Sequence, residues 1–362
     1  MHVLTALLVF AHPPIIHETQ PHQNYAPVVQ IASAKQREAD SLLQQGIEQF
    51  QISQFSSAIR LWQQALTIYQ DISDRQGKAN SFNNLGLVYR ELGYYQQAIA
   101  FYQESLTIKQ AIGDIGGEAN TLGNLGNVYY SLGQYHKAIA FHQKSLAIKQ
   151  EISDRRGEGV SLGGLGNAYY GLGDYNQAIS LYQQWLTIAR QVGDRWSEGQ
   201  SLSNLGNAYY AMGDYDKAIS LGEKSLAILR QVGDRRGQGK CLSILGNVYF
   251  SQGKYLEAMR YYQSALGIAQ EIGDREGEGK ALREIAELLA QQNQIQRAIS
   301  FYQRAVNVRE AIRRNLQGLT QQQQQSYTAT VASTYEQLAQ LLQEQNRADE
   351  AQQVLNLLQS GD

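Results

Sequence analysis

The amino-acid sequence predicts an all-α solenoid, a stack of paired helices, on three observations. The first is periodicity. Asp74, Asp114, Asp154, Asp194, Asp234 and Asp274 stand 40 residues apart, as do Gly86, Gly126, Gly166, Gly206 and Gly246. Ala58, Ala98, Ala138, Ala178, Ala218, Ala258 and Ala298 keep the same interval. A fixed period of this size marks an array whose units bury their apolar faces against their neighbours. The second is proline: Pro13, Pro14, Pro21 and Pro27 all precede Val28, and none follows in a chain of 362 residues. Proline breaks helix interiors, so everything after Val28 is free to be helical, and the 33 glycines must make the turns. The third is spacing within a unit. Leu122, Leu125, Gly126, Tyr129 and Leu132 fall on one face of a helix, and Tyr135, Ala138, Ile139, His142, Ser145, Leu146 and Ile152 populate a second.

Taken in order, residues 1–34 read as a flexible leader. Val3 to Ala11 is a short apolar run and Ala32-Ser33-Ala34 has the form of a signal-peptide cleavage site, but no Lys or Arg precedes the run. A signal peptide and a polar leader both remain open. The expected compartment is the cytoplasm, with export the alternative if residues 1–34 act as a signal. His2, His12, His17 and His22 are widely spaced and fit a polar tail better than a metal site.

Seven 40-residue units follow over residues 35–314. Gly133 ends the first helix of the third unit, because glycine tolerates the left-handed cap conformation. Ser153 ends the second, where Gly113, Gly193, Gly233 and Gly273 stand in other units. The Asp that follows is a good N-cap for the next helix. Gly126 and Ala138 are small where the paired helices would cross. Residues 315–333, with the run Gln321 to Gln325, read as a glutamine-rich connector. Residues 334–362 then form a degenerate eighth unit, in which Leu338, Ala339, Leu342 and Ala351 realign with Leu125, Gly126, Tyr129 and Ala138. A solenoid needs such an atypical end to cover its last apolar face.

These motifs, Leu125-Gly126, Tyr129, Ala138 and an aromatic four residues on (Tyr102, Tyr182, Tyr262, Tyr302 elsewhere), resemble the tetratricopeptide repeat. The 40-residue period, the G-D-R connectors and the N-L-G-N segments (Asn124 to Asn127, Asn204 to Asn207) are similar to the LGN and kinesin-light-chain subclass. The resemblance implies a right-handed superhelix with the first helix of each unit lining the concave face. It also suggests that the missing repeat-ending proline is replaced by a longer second helix. Tyr327 to Leu358 resembles the junction at which bacterial repeat proteins continue into a CHAT domain, a caspase-like peptidase fold.

Composition and motifs exclude several functions. The formal net charge of −2 argues against a nucleic-acid track. No run approaches the roughly 18–20 apolar residues of a membrane helix. Cys241, the only cysteine, excludes a disulfide framework and sits in a helix without the context of a thiol protease. His136 and His142 lie six apart, off the spacing of a zinc pair, and His142 takes an aromatic position, so packing is its expected role. Gly163-Gly164-Leu165-Gly166 lacks a P-loop lysine. The Asp-Arg pairs read as caps and ion pairs between units. Neither catalysis nor a cofactor is expected.

The informative residues lie opposite the apolar face of the first helices. Asn80, Asn84, Asn120, Asn124, Asn127, Asn167, Asn204, Asn207 and Asn247 form a ladder along the implied concave groove. Asparagine is a mediocre helix former, but its amide both donates and accepts, as an extended peptide backbone does. The ladder therefore predicts a non-catalytic scaffold holding an extended peptide or protein segment. The alternative roles for these residues are bonds between neighbouring helices, and, for the chain, the recognition arm of a CHAT-type peptidase system. Tyr130, Tyr170 and Tyr210 flank the ladder, either for ligand contact or for packing. Lys240, Lys280 and Arg283 would favour an acidic ligand end. Val160, Gly163, Gly164 and Gly171 in unit four are expected to leave room for a bulky ligand side chain. Carboxylate clamps of other tetratricopeptide repeats place a Lys before the first-helix Asn; Asn83, Gly123, Gly163, Ser203 and Ser243 stand there, so no clamp of that kind is expected.

Overall fold

A computed structural model describes residues 25–314 and 321–359, which form sixteen α-helices. They are α1 (Tyr25–Gln51), α2 (Phe55–Asp71), α3 (Arg75–Glu91), α4 (Tyr95–Ile112), α5 (Ile115–Ser131), α6 (Tyr135–Glu151), α7 (Arg155–Gly171) and α8 (Tyr175–Gln191). There follow α9 (Arg195–Ala211), α10 (Tyr215–Gln231), α11 (Arg235–Ser251), α12 (Tyr255–Glu271), α13 (Arg275–Gln291), α14 (Ile295–Arg314), α15 (Gln321–Glu344) and α16 (Ala348–Gln359). Consecutive helices pack as antiparallel-type pairs, and each pair packs on the next.

The 40-residue period is two helices of 17 residues joined by short turns, as in α5 with α6 or α9 with α10. The extra length is therefore shared equally, and the expected longer second helix is not found. The turns close by left-handed residues: Gly93, Gly133, Gly173, Gly213 and Gly253 after first helices, and Gly113, Gly193, Gly233 and Gly273 after second helices. Ser73 and Ser153 adopt the same conformation without glycine's freedom, at φ 60° and 58°.

The repeated aspartates hold the stack in register through both carboxylate oxygens. One oxygen of Asp74, Asp114, Asp154, Asp194, Asp234 and Asp274 caps its own helix, at 2.8–3.1 Å from a backbone N–H three residues on. The other accepts from the preceding unit: from Gln36 and Gln76 at 3.0 Å, Lys149, Arg156 and Trp196 at 2.8 Å and Arg236 at 3.3 Å. The cap satisfies an otherwise orphaned N–H, and the second bond sets the stagger between units.

Small residues let the paired helices close, and aromatic rings cover them. A side chain at Gly86, Gly166 or Gly246 would collide with the ring of Tyr102, Tyr182 or Tyr262, and one at Gly126 with His142. At Gly206 the covering residue is itself Gly222, and Leu245 of the next unit fills the gap. Leu85, Leu125, Leu165, Leu205, Leu245 and Ile285 form the buried spine. Each such side chain contributes about 1.5–3 kcal/mol by leaving water.

First helices touch first helices of the next unit, from α1 with α3 to α11 with α13, whereas successive second helices make no comparable contact. The stack therefore curves with its first helices inside. The curve brings α11 back beside the first turn, where Arg236 donates to the Gln51 carbonyl at 2.6 Å.

Both ends depart from the sequence reading. Helix α1 starts at Tyr25, inside the stretch assigned to the leader, and Ala32-Ser33-Ala34 lies within it. Pro27 sits in its first turn, where a missing N–H costs nothing; residues 1–24, including the four leader histidines, lie outside the described residues. Gln321 to Gln325 opens α15 instead of forming a connector. The inserted residues lengthen α14 to 20 residues and α15 to 24. Leu338, Ala339, Leu342 and Ala351 are buried. Among the described residues no helix is long and apolar enough to cross a membrane.

Candidate functional site

The ladder lies on the inner face, and two cavities open along it three units apart. The first, about 520 Å³, lies between units three and four and gathers Asn120, Asn124, Asn127 and Asn167. The second, about 690 Å³, lies along units six and seven and gathers Asn207, Asn247, Lys240, Lys280 and Arg283. Asn80, Asn84 and Asn204 sit half-buried on the same helices but line neither cavity.

Several ladder amides are tied to neighbours. Asn124 donates to Asn83 at 2.9 Å and Asn204 to Asn167 at 3.3 Å. Asn167 and Asn247 each accept a tyrosine hydroxyl, from Tyr182 and Tyr262, at 2.7 Å. Asn120 accepts from Lys149 at 2.6 Å. An amide has two N–H donors and two lone pairs, so one such bond leaves it able to make more. The amide of Asn127 takes no hydrogen bond from the described residues.

The first cavity is walled by rings. Trp185 of α8, where other units have Ser or Ala, lies against Gly159 and Gly163, and His142 of α6 lies against Gly126 and Gly164. The room expected at Gly163 and Gly164 is thus taken by the protein's own rings, at 2.8 and 2.3 Å from where a side chain would begin. Gly171 is covered in the same way by Tyr135. The cavity opens beside these glycines, under Trp196 and Val160. His142 packs as the sequence suggested, and burial pushes its imidazole down to about 4. Lys149 reaches in from α6 and pairs with Asp154 at 2.8 Å.

The second cavity is charged. Arg309 reaches in from α14 and pairs with Glu276. Lys280 lies 3.7 Å from Glu284, and Arg283 pairs with Glu287. Lys240 has no carboxylate within ion-pair distance among the described residues. Glu284 is buried and accepts from Ser243 at 2.9 Å. Burial raises its carboxyl pKa, with Lys280 and the Ser243 bond opposing. Glu91 from the end of α3 and Thr334 from α15 complete the wall.

Tyr130, Tyr170 and Tyr210 line neither cavity. Their rings lie 5.6, 5.3 and 6.0 Å from those of Tyr135, Tyr175 and Tyr215, and the Tyr210 hydroxyl bonds Ser251 at 2.9 Å, while all three remain half-buried. Cys241 is buried, with its thiol 3.2 Å from the Gly222 carbonyl. Burial raises the thiol pKa, the reverse of what a nucleophile needs. Trp185, Trp196, Lys149 and Arg309 went unread in the sequence. Each departs from the repeat: Trp185 stands where other units place Ser or Ala, Trp196 where they place Gln, Gly, Arg or Glu, and Lys149 and Arg309 are cations where three units place Ala or Leu.

Comparisons with known proteins bear on the fold. A family model described as tetratricopeptide repeat matches residues 38–111, 117–191, 162–231, 197–271 and 241–311, and a second of the same description matches 332–356. Among curated proteins nothing matches. A Rap protein complexed with competence and sporulation factor is similar in structure (TM-score 0.62, 16% identity, 82% of each chain). So is aspartyl phosphate phosphatase F from Bacillus subtilis (TM-score 0.60, 16% identity, 82% of this chain and 77% of that one). The Rap conjugation gene regulator of plasmid pLS20, in complex with the Phr* peptide, has a TM-score of 0.60 at 15% identity over 86% of this chain and 83% of its own. At these identities the likeness is one of fold. With repeat models spanning most of its length and the same helix-pair stack in three dimensions, the chain belongs to the tetratricopeptide repeat family.

Proposed function

We propose that this protein is a non-catalytic scaffold that binds an extended peptide segment along the inner groove. The observation that carries this reading is the ladder itself: amides from successive first helices share one face and line two cavities on it. Such a face suits a ligand that presents N–H and C=O groups at regular intervals. Each added bond contributes roughly 0.5–1.5 kcal/mol net, so several are needed to reach micromolar affinity at about −8 kcal/mol. The bonds between Asn124 and Asn83 and between Asn204 and Asn167 brace the same helices, and the remaining donors and acceptors of these amides serve the ligand. Two of the solved structures with this fold are of complexes, one with competence and sporulation factor and one with the Phr* peptide, which supports a peptide as the ligand class here. The charged second cavity, where Lys240 lacks a carboxylate partner, favours an acidic stretch of that segment.

The test is capture of partners from the source cell by the full chain and by an Asn124→Ala plus Asn207→Ala variant of matched helicity. Partners held by the groove are lost or weakened at least tenfold by the double change. If every partner persists at unchanged affinity, the ladder is not the binding site.

A further inference from the structure

The first cavity holds an irregularity that the ladder does not explain. In units four and six a tyrosine covers the crossing glycine and donates its hydroxyl to the ladder asparagine: Tyr182 to Asn167 and Tyr262 to Asn247, both at 2.7 Å. Unit three has Asn127 at the ladder position but His142 in place of the tyrosine. The imidazole is shorter than a phenol, and no hydroxyl reaches Asn127. His142 is 3% exposed and lines the cavity, yet neither of its ring nitrogens has a hydrogen-bond partner among the described residues. Trp185 turns its six-membered ring to Gly163 in the same wall, with its indole N–H on the Gly159 side, away from the cavity. Buried polar groups are nearly always satisfied, and two such nitrogens on a ring that lines the opening mark a place built for a ligand's polar group.

The walls set the rest of that ligand. Trp185 is buried in the wall, and Val160 and Trp196 stand 49% and 47% exposed above it. Other units carry Asn80, Asn120, Gln200, Lys240 and Lys280 at the place of Val160. An exposed apolar pair over a cavity of about 520 Å³ offers stacking area to a ring, within the roughly 300–1,000 Å³ of small-ligand sites.

Building on the groove reading above, we propose that this cavity is an anchor subsite for a tyrosine side chain of the bound segment. The ring lies between Trp196 and Trp185. The phenol hydroxyl donates to the Asn127 amide oxygen, as Tyr182 does to Asn167, and accepts from the His142 N–H. The ligand thus supplies the tyrosine hydroxyl that unit three lacks, and the subsite fixes the register of the segment along the ladder.

The experiment selects peptides from a random displayed library on the full chain, then measures their affinities for the parent and for His142→Tyr. That variant installs the residue found in four other units and occupies the polar end of the cavity. Its fold is checked by circular dichroism. Groove binders are those weakened by Asn207→Ala plus Asn247→Ala in the other cavity. The expected result is a tyrosine at one fixed position, at least fivefold weaker binding when it is changed to Phe, and at least tenfold loss in His142→Tyr. A second arm needs no peptide. p-Cresol, the tyrosine side chain alone, should shift the His142 ring resonances in an NMR titration, and toluene should shift them much less. Groove binders indifferent to tyrosine and to His142→Tyr, with no p-cresol response, overturn the subsite alone. A library that yields no groove binder overturns the groove reading and the subsite with it.

Discussion

The two cavities occupy the same place in the repeat, three units apart, and differ in nearly every side chain. Asn120, Val160, Gly163 and Lys149 in the first correspond to Lys240, Lys280, Arg283 and Ala269 in the second. One is walled by rings around unsatisfied nitrogens, and the other is laced with ion pairs. The backbone at both is the same stack of 17-residue helices. What differs is confined to positions that break the 40-residue pattern. The periodic residues (the Leu spine, capping Asp, crossing Gly and turn Gly) build the stack, and the aperiodic ones on its inner face give each stretch of groove its chemistry.

The sharpest way to separate the two regions is pH, because a buried group in each has a shifted pKa and the signs of their effects on stability are opposite. The folded pKa of His142 lies near 4, below the ordinary 6.5. Its contribution to stability is therefore complete above pH 6.5 and lost as the pH falls through 4. The loss amounts to about 3 kcal/mol. Glu284 is shifted upward by burial. Its contribution is complete below the ordinary carboxylate range and is lost as the pH rises through its raised value. Urea midpoints between pH 4 and pH 8 should show the acid-side loss in the parent and not in His142→Tyr. The same acid slope in both would remove His142 as its source.

A smaller effect tests whether the ring wall is a coupled unit. Tyr102 and Asn124, and Tyr182 and Asn204, stand at the same sequence offset as His142 and Gly164. Gly164→Asn alone brings a side chain to 2.3 Å from the His142 ring and should cost about 2 kcal/mol by overpacking. Adding His142→Tyr recreates the pairing of the other units and should recover at least about 1 kcal/mol. Strict additivity in denaturation would mean that the two positions do not share the space. Two units on, the same pair of positions is Gly222 and Ile244, and Gly222→Ala and Ile244→Asn should show no such rescue by each other, because Leu245 fills the gap there.

The same division explains what was legible in the sequence. The helices, turns, capping aspartates and glycine crossings repeat many times, so each unit confirmed the reading of the others. The site is legible only where it repeats. The asparagines were found because they recur, and several proved to bond across units, Asn124 with Asn83 and Asn204 with Asn167. Gly163 and Gly164 signal empty space in the sequence because a glycine shows what is missing, not what moves in. Trp185 and His142 fill that space from the neighbouring second helices, a long-range fact that spacing along one helix does not carry. Arg309 and Lys149 reach the groove from outer helices for the same reason. At the ends, where the period lapses, helices α1 and α15 run past the limits assigned to them.

The least costly comparison between the regions is a single turn. Ser153 and Gly273 occupy the same position before the capping aspartates of units four and seven, and both are left-handed, at φ 58° and 68°. An L-residue pays about 1–2 kcal/mol for that conformation, while glycine loses about 0.4–1 kcal/mol more in unfolded-state entropy. The difference favours glycine by about 0.5 kcal/mol. Ser153→Gly should therefore stabilise the chain by that amount in urea unfolding, and Gly273→Ser should destabilise it by a similar amount. Neither residue lines a cavity, so peptide affinity should stay within twofold in both variants. If Ser153→Gly loosens ligand binding, the turn stiffens the groove as well as closing the helix, and the separation between periodic scaffold and aperiodic site fails at that position.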